Sequence, residues 1–122
     1  HCTACHDGTQ APGKSPPALT GEPQAPFTRS YQNLKPFTRW HEWGNATITP
    51  IVTRPGRQGA DARPLTKILT DKTHAASVNL PQKDLCRIYI WLDANAPFYG
   101  TYSQTEQNAQ LAGKVVAPPE VQ

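Results

Sequence analysis

Residues 2–6 read Cys2-Thr3-Ala4-Cys5-His6, a C-x-x-C-H pattern, and no other feature restricts the fold of this chain as strongly. Two thiols three residues apart share one turn of backbone. From there they reach the two vinyl groups of a porphyrin and form thioethers. The adjacent His6 then comes up beneath the iron as proximal ligand. The spacing therefore predicts one covalently attached haem c. Composition agrees with that need. The chain has 122 residues, enough for one domain, but 13 are Pro, 8 are Gly and only 37% are hydrophobic. Such a chain is poor in material for a side-chain core, and a large flat hydrophobe supplies the missing apolar volume. Attachment cysteines ordinarily follow a turn or more of chain, whereas here only His1 precedes them. The expectation is that residues before His1 were removed, were not seen, or belong to a larger polypeptide.

Other uses of the two thiols demand partners that the sequence does not offer. A zinc site would need two more ligands at paired spacing, and the remaining thiol, Cys86, stands alone on a predicted helix. A thioredoxin-like pair would follow a strand in a βαβ unit, and no such pattern is present. A Cys2–Cys5 disulfide would explain neither His6 nor the thin core. Cys86, between Asp84 and Arg87, reads as a small buried hydrophobe. Asn45-Ala46-Thr47 matches a glycosylation sequon, a pattern that arises easily by chance.

The iron needs a sixth ligand or an open site. The chain contains no Met, so the His/Met pair that raises haem potential is excluded. His1 is too close to the attachment site to cross to the other haem face. His74, placed between two predicted helices, is the first choice for the distal ligand. His41 is the fallback, and a five-coordinate iron comes third. Trp40 and Trp43, which flank His41 and Glu42, are expected to pack on the haem edge.

Eight of the thirteen prolines fall before residue 60. Residues 12–26 read as an irregular, partly extended loop. A short helix is expected near residues 30–34, with Tyr31 and Leu34 on one face. Residues 37–59 read as a long loop with β-prone pieces around 48–52, a length that suits wrapping a prosthetic group. The second half is helical. Asp61 and Pro64 announce a helix of about two turns carrying Leu65, Ile68 and Leu69. A second helix begins at Pro81 and ends near Asn95, with Leu85, Ile88, Tyr89 and Leu92 as its apolar stripe. Lys83, Asp84 and Arg87 face away from that stripe. The polar stretch 103–122 reads as an extended C-terminal arm. The predicted class is mainly α with long irregular loops, a monohaem cytochrome c-like domain over residues 1–102.

In the order of its motifs the chain resembles the C-terminal c-type cytochrome domain of hydrazine synthase alpha-subunit-like secreted bacterial proteins. The resemblance runs through residues 2–6, Leu19-Thr20-Gly21-Glu22-Pro23 and Ser30-Tyr31-Gln32-Asn33-Leu34. It continues through Leu65, Ile68-Leu69, His74, Val78 and Leu80 to Trp91-Leu92-Asp93-Ala94-Asn95 and residues 96–102. It implies that His74 is the distal ligand and that the ending around Phe98 closes the haem-side core, with Tyr31 a further haem contact. Thr73 stands where a Gly commonly precedes the distal His. The resemblance does not confer hydrazine synthesis, because a domain fold is not an activity.

The formal net charge is +3, with Lys and Arg scattered from Lys14 to Lys114, and no basic cluster marks a nucleic-acid footprint. No stretch is apolar enough to span a bilayer. The expected work is electron transfer through one low-potential haem, as a module or subunit of a larger extracytoplasmic assembly whose partners are other redox proteins or haem-bearing subunits. Two alternatives remain open. One is an enzyme site binding a small molecule at open iron, served by His41 and Arg39. The other is a haem-stapled docking domain. Covalent haem attachment takes place outside the cytoplasmic membrane, so the expected location is periplasmic, cell-surface or extracellular.

Overall fold

The structure is a computed structural model that describes residues 1–9, 16–38 and 59–117. Its regular elements there are β1 (Pro23–Gln24), β2 (Phe27–Thr28), α1 (Arg29–Thr38), α2 (Pro64–Thr70), α3 (Lys72–Val78), α4 (Gln82–Asp93) and α5 (Gln104–Leu111). One-turn 3₁₀ helices occupy Cys2–Ala4 and Ala60–Ala62. The expectation of a mainly α chain therefore holds. Contacts divide the chain into two units: His1–Cys2 with Leu34–Pro97, and Thr3–Asn33 with Phe98–Gln122.

In the first unit, Pro64 opens α2, where its fixed φ fits the first helical position and its missing N–H is no loss. Asp71 joins α2 to α3. Its own N–H reaches back to the carbonyls of Lys67 and Ile68, while its carboxylate accepts the N–H groups of Thr73 and His74. One residue thus ends one helix and caps the next. Asn79, in the left-handed region at φ 46°, closes α3. The α4 helix ends in two consecutive left-handed residues, Asn95 and Ala96, with the Ala96 N–H bonded to the Trp91 carbonyl at 2.8 Å. Leu69, Leu92, Ala60 and Ala96 are the buried apolar residues of this unit among those described.

A polar node lies among them. The Arg63 side chain is fully buried, and its Nη2 donates to Asn95 Oδ1 at 3.5 Å. Loss of water lowers the Arg63 pKa from its ordinary value, and the charge of Asp93 opposes that shift. Asp93 also accepts the Ala60 N–H at 2.6 Å, and Thr66 Oγ1 donates to the Ala60 carbonyl at 2.6 Å. The 3₁₀ turn at Ala60–Ala62 is thereby tied to α2 and to the end of α4.

In the second unit, β1 and β2 form an antiparallel hairpin in which Pro23 pairs with Thr28 and Gln24 with Phe27. The start of α1 is fixed by Arg29 N–H donating to the Glu22 carbonyl at 2.9 Å and Ser30 N–H to the Thr20 carbonyl at 3.1 Å. Ser103 caps α5 by accepting the Glu106 N–H.

Four expectations need correction. Residues 12–26 were expected to be irregular, yet 23–24 pair as β1. The helix at 30–34 is longer, Arg29–Thr38, and runs through Pro36. His74 lies inside α3 instead of in a connection between helices, because Asp71 supplies a cap that turns 72–78 into a helix. The arm at 103–122 was expected to be extended, but Gln104–Leu111 is helical. Within α4, Leu85, Ile88 and Tyr89 are half-buried and Leu92 buried, as the stripe requires, while Lys83 and Arg87 are exposed. Asp84 does not simply face away, since it is half-buried and hydrogen-bonded. The β-prone pieces at 48–52 lie outside the described residues, as does most of the 37–59 loop.

Candidate functional site

Cys2–Ala4 form a single 3₁₀ turn, followed directly by Cys5 and His6. Positions i and i+3 eclipse in that geometry, which puts the two cysteines on one side of the turn. No disulfide joins them: Cys2 is half-buried, and Cys5 is exposed. Both sulfurs therefore remain available for thioether chemistry.

His6 is half-buried, and its Nδ1 lies 2.7 Å from the carbonyl oxygen of Pro17. A carbonyl only accepts, so Nδ1 carries the proton. The lone pair of the neutral ring then sits on Nε2, which is the form that binds a metal. Holding a histidine by one ring nitrogen also fixes the plane of the imidazole. The His6 carbonyl accepts the Leu19 N–H at 2.8 Å, so both ends of this residue are tied to one short segment. That segment is anchored in turn, because Asn33 on α1 donates to the Ala18 carbonyl at 2.8 Å and Ala18 is buried. Gly8, at φ +81°, lets the chain pass it closely, since a Cβ there would lie 2.9 Å from the Ala18 Cβ. Between His6 and Gly8, the Asp7 carboxylate accepts the N–H and the hydroxyl of Thr9, both at 2.9 Å. Those bonds, the backbone one foremost, hold Asp7 below the usual carboxylate range.

His74 is half-buried on α3, where its N–H is accepted by Asp71 Oδ1 at 3.2 Å. Tyr31 and Phe98 meet, with ring centroids 4.9 Å apart. Around them the second unit gathers Tyr99, part of the same ending as Phe98, and Phe27, which sequence reasoning did not single out. Phe27 lies 4.8 Å from Tyr31 and 5.4 Å from Phe98, and Tyr99 lies 4.7 Å from Phe98. The Tyr99 hydroxyl donates to the Pro26 carbonyl, which ties the cluster to the hairpin. The signal of Phe27 was weak, because a single aromatic in a short strand shows no period. Trp40, His41 and Trp43 lie outside the described residues, as does Arg39. Cys86, expected to be buried, is instead exposed on α4, because it lies off the stripe of Leu85, Ile88, Tyr89 and Leu92, and Gln82 Nε2 lies 3.5 Å from its sulfur.

Among the described residues no three His, Cys, Asp or Glu side chains gather into a metal-binding group. A haem asks for less, one imidazole on each face and two thiols at the rim, and the donor set of residues 2–6 fits it. Among those residues also, no helix is long and apolar enough to cross a membrane. No protein-family model, curated protein or solved structure matches this chain.

Proposed function

We propose that the chain is an electron-transfer module carrying one haem c, bonded through Cys2 and Cys5, with His6 as proximal and His74 as distal ligand. The observation that carries this reading is the 2.7 Å bond from His6 Nδ1 to the Pro17 carbonyl, which leaves Nε2 as the ligating nitrogen of the residue that ends the C-x-x-C-H motif. The thiols, both outside any disulfide, on one 3₁₀ turn add to it. A haem held by Cys2, Cys5, His6 and His74 would supply one-electron ferric/ferrous chemistry. The protein's share is to hold the ligands still. Two neutral imidazoles bind both oxidation states similarly, which keeps reorganisation small. They also favour ferric iron more than a thioether does, so the potential lies below that of His/Met cytochromes.

The cytochrome c-like fold, the extracytoplasmic location and the redox or haem-bearing partners belong to this same proposal, as does the likeness to the hydrazine synthase-associated domains. Mass spectrometry of the denatured protein, with absorption spectra of both redox states and added carbon monoxide, tests it. The expected result is one covalent haem, low-spin in both states and slow to bind carbon monoxide. Two thiols without haem would overturn the cofactor. Rapid carbon monoxide binding by the wild type would replace the carrier with a small-molecule site.

A further inference from the structure

The attachment motif is held at its far end by Pro17 and Leu19, and its near end has an anchor of a different kind. His1 Nε2 donates to Asp84 Oδ2 on α4 at 3.0 Å. The other carboxylate oxygen, Oδ1, accepts from Arg87 Nη1 one turn further along α4, at 3.1 Å. Arg87 thus presets the carboxylate rotamer that receives the imidazole. His1 precedes Cys2 directly, and these two residues belong to the same compact unit as α4. Cys2 is half-buried there, while Cys5, beyond that anchor, is exposed.

We propose that Asp84 is a positioning residue for Cys2, docking His1 on α4 so that the Cys2 thiol is presented to its vinyl group, where the S–H bond adds across the C=C double bond, sulfur and hydrogen each bonding to one vinyl carbon with no external oxidant or reductant. The inference rests on the haem reading above and extends it to the order of the two thioethers. Cys5 is followed directly by His6, which Pro17 holds, whereas the neighbour of Cys2 on its other side, His1, is held by a side chain from outside the motif. Without that contact, haem is retained through Cys5, and the Cys2 bond is the one that fails to close. The His1 and Asp84 side chains are 46% and 31% exposed, so the effect is modest. A twofold to fivefold change in the docked population corresponds to about 0.4–1 kcal/mol at 1.4 kcal/mol per tenfold, within the range of exposed ion pairs.

The test is the proportion of haem attached through one sulfur instead of two, read by peptide mass spectrometry and by the pyridine haemochrome band, with Cys2→Ser as the one-thioether reference. Asp84→Ala and His1→Ala are each expected to raise the one-thioether fraction twofold to fivefold. The double variant is expected to go no further than either single, since both remove one contact. His1→Gln, whose amide still donates to Asp84, is expected to recover the wild-type fraction, and Lys83→Gln on exposed α4 surface to leave it unchanged. A purely structural role would lower yield without moving the sulfur count. Should Asp84→Ala fail to accumulate, His1→Ala and its Gln rescue decide the matter with α4 intact. Equal two-thioether attachment in wild type and His1→Ala overturns the positioning role and leaves the haem reading standing. Absence of haem from the wild type overturns both.

Discussion

Three histidines can be compared by what holds them. His6 is fixed through Nδ1, His1 through Nε2, and His74 through its backbone N–H on Asp71. The first of these bonds leaves the lone pair of the neutral ring on Nε2, and the sequence alone could not have shown it, because Pro17 is eleven residues away in an irregular segment. The motif itself was fully legible, since its spacing is local. If His74 is the distal ligand, His74→Ala leaves a five-coordinate iron. The ferrous form then becomes high-spin and binds carbon monoxide quickly, while His41→Ala leaves the spectrum as it was. Stopped-flow mixing with carbon monoxide checks both, and the reverse outcome transfers the ligand to His41. A second residue-scale prediction concerns Gly59, which sits at φ +72° where an added Cβ would lie 2.5 Å from Asp93 Oδ1. Gly59→Ala meets a disfavoured backbone conformation and displaces the acceptor of the Ala60 N–H. A loss of about 1–3 kcal/mol in urea unfolding is expected.

Elements with an apolar period were readable, and elements defined by their caps were not. The α2 and α4 helices show the i, i+3, i+4 stripes that end on Leu69 and Leu92, and both lie close to where periodicity put them. The α3 helix has only Ala75, Ala76 and Val78 to offer. Its sole sequence signal is Asp71, two residues before Thr73, and a cap without a following stripe is easily passed over. The α5 helix carries a Ser-x-x-Glu signature at Ser103 and Glu106, which marks a helix start. Its mean character is polar, and that suggested an arm. The β1–β2 hairpin is two residues per strand, too short for any alternation to register. These caps carry measurable weight. Asp71→Ala should destabilise the holoprotein by about 1 kcal/mol, with Asp71→Asn close to neutral. Because Asp71 also holds the His74 N–H, the Ala variant should open the distal side more often and speed carbon monoxide binding. Thermal unfolding followed by circular dichroism measures the first effect and flash photolysis the second. A faster rate without loss of stability would contradict the coupling between cap and ligand.

At the scale of the molecule, the described residues bury few apolar side chains: Ala18, Ala60, Leu69, Leu92 and Ala96. A fully buried Leu contributes about 1.5–3 kcal/mol, and two of them with three alanines are slight against the entropy of ordering the described residues. Larger side chains that would normally fill a core stay half-exposed, among them Tyr31, Phe98 and Tyr99, while Ile90 is 69% exposed. Among the described residues, the aromatic cluster of one unit and, separately, the flanks of α2 and α4 in the other are thus only partly buried. A porphyrin is the group that the attachment motif would bring to such surface, and covalent bonding would make its contribution permanent. Stability is then expected to follow haem occupancy. The apoprotein, or Cys5→Ser without attached haem, should lose its cooperative transition in urea and its amide dispersion, while the holoprotein unfolds in one step. Urea titration of both forms, monitored by circular dichroism and by the Soret band, makes the comparison. Coincident transitions in the holoprotein with none in the apoprotein are the expected outcome. A sharp transition in the apoprotein at the same urea concentration would show that the side chains alone hold the fold, and that the haem serves its electrons without serving the core.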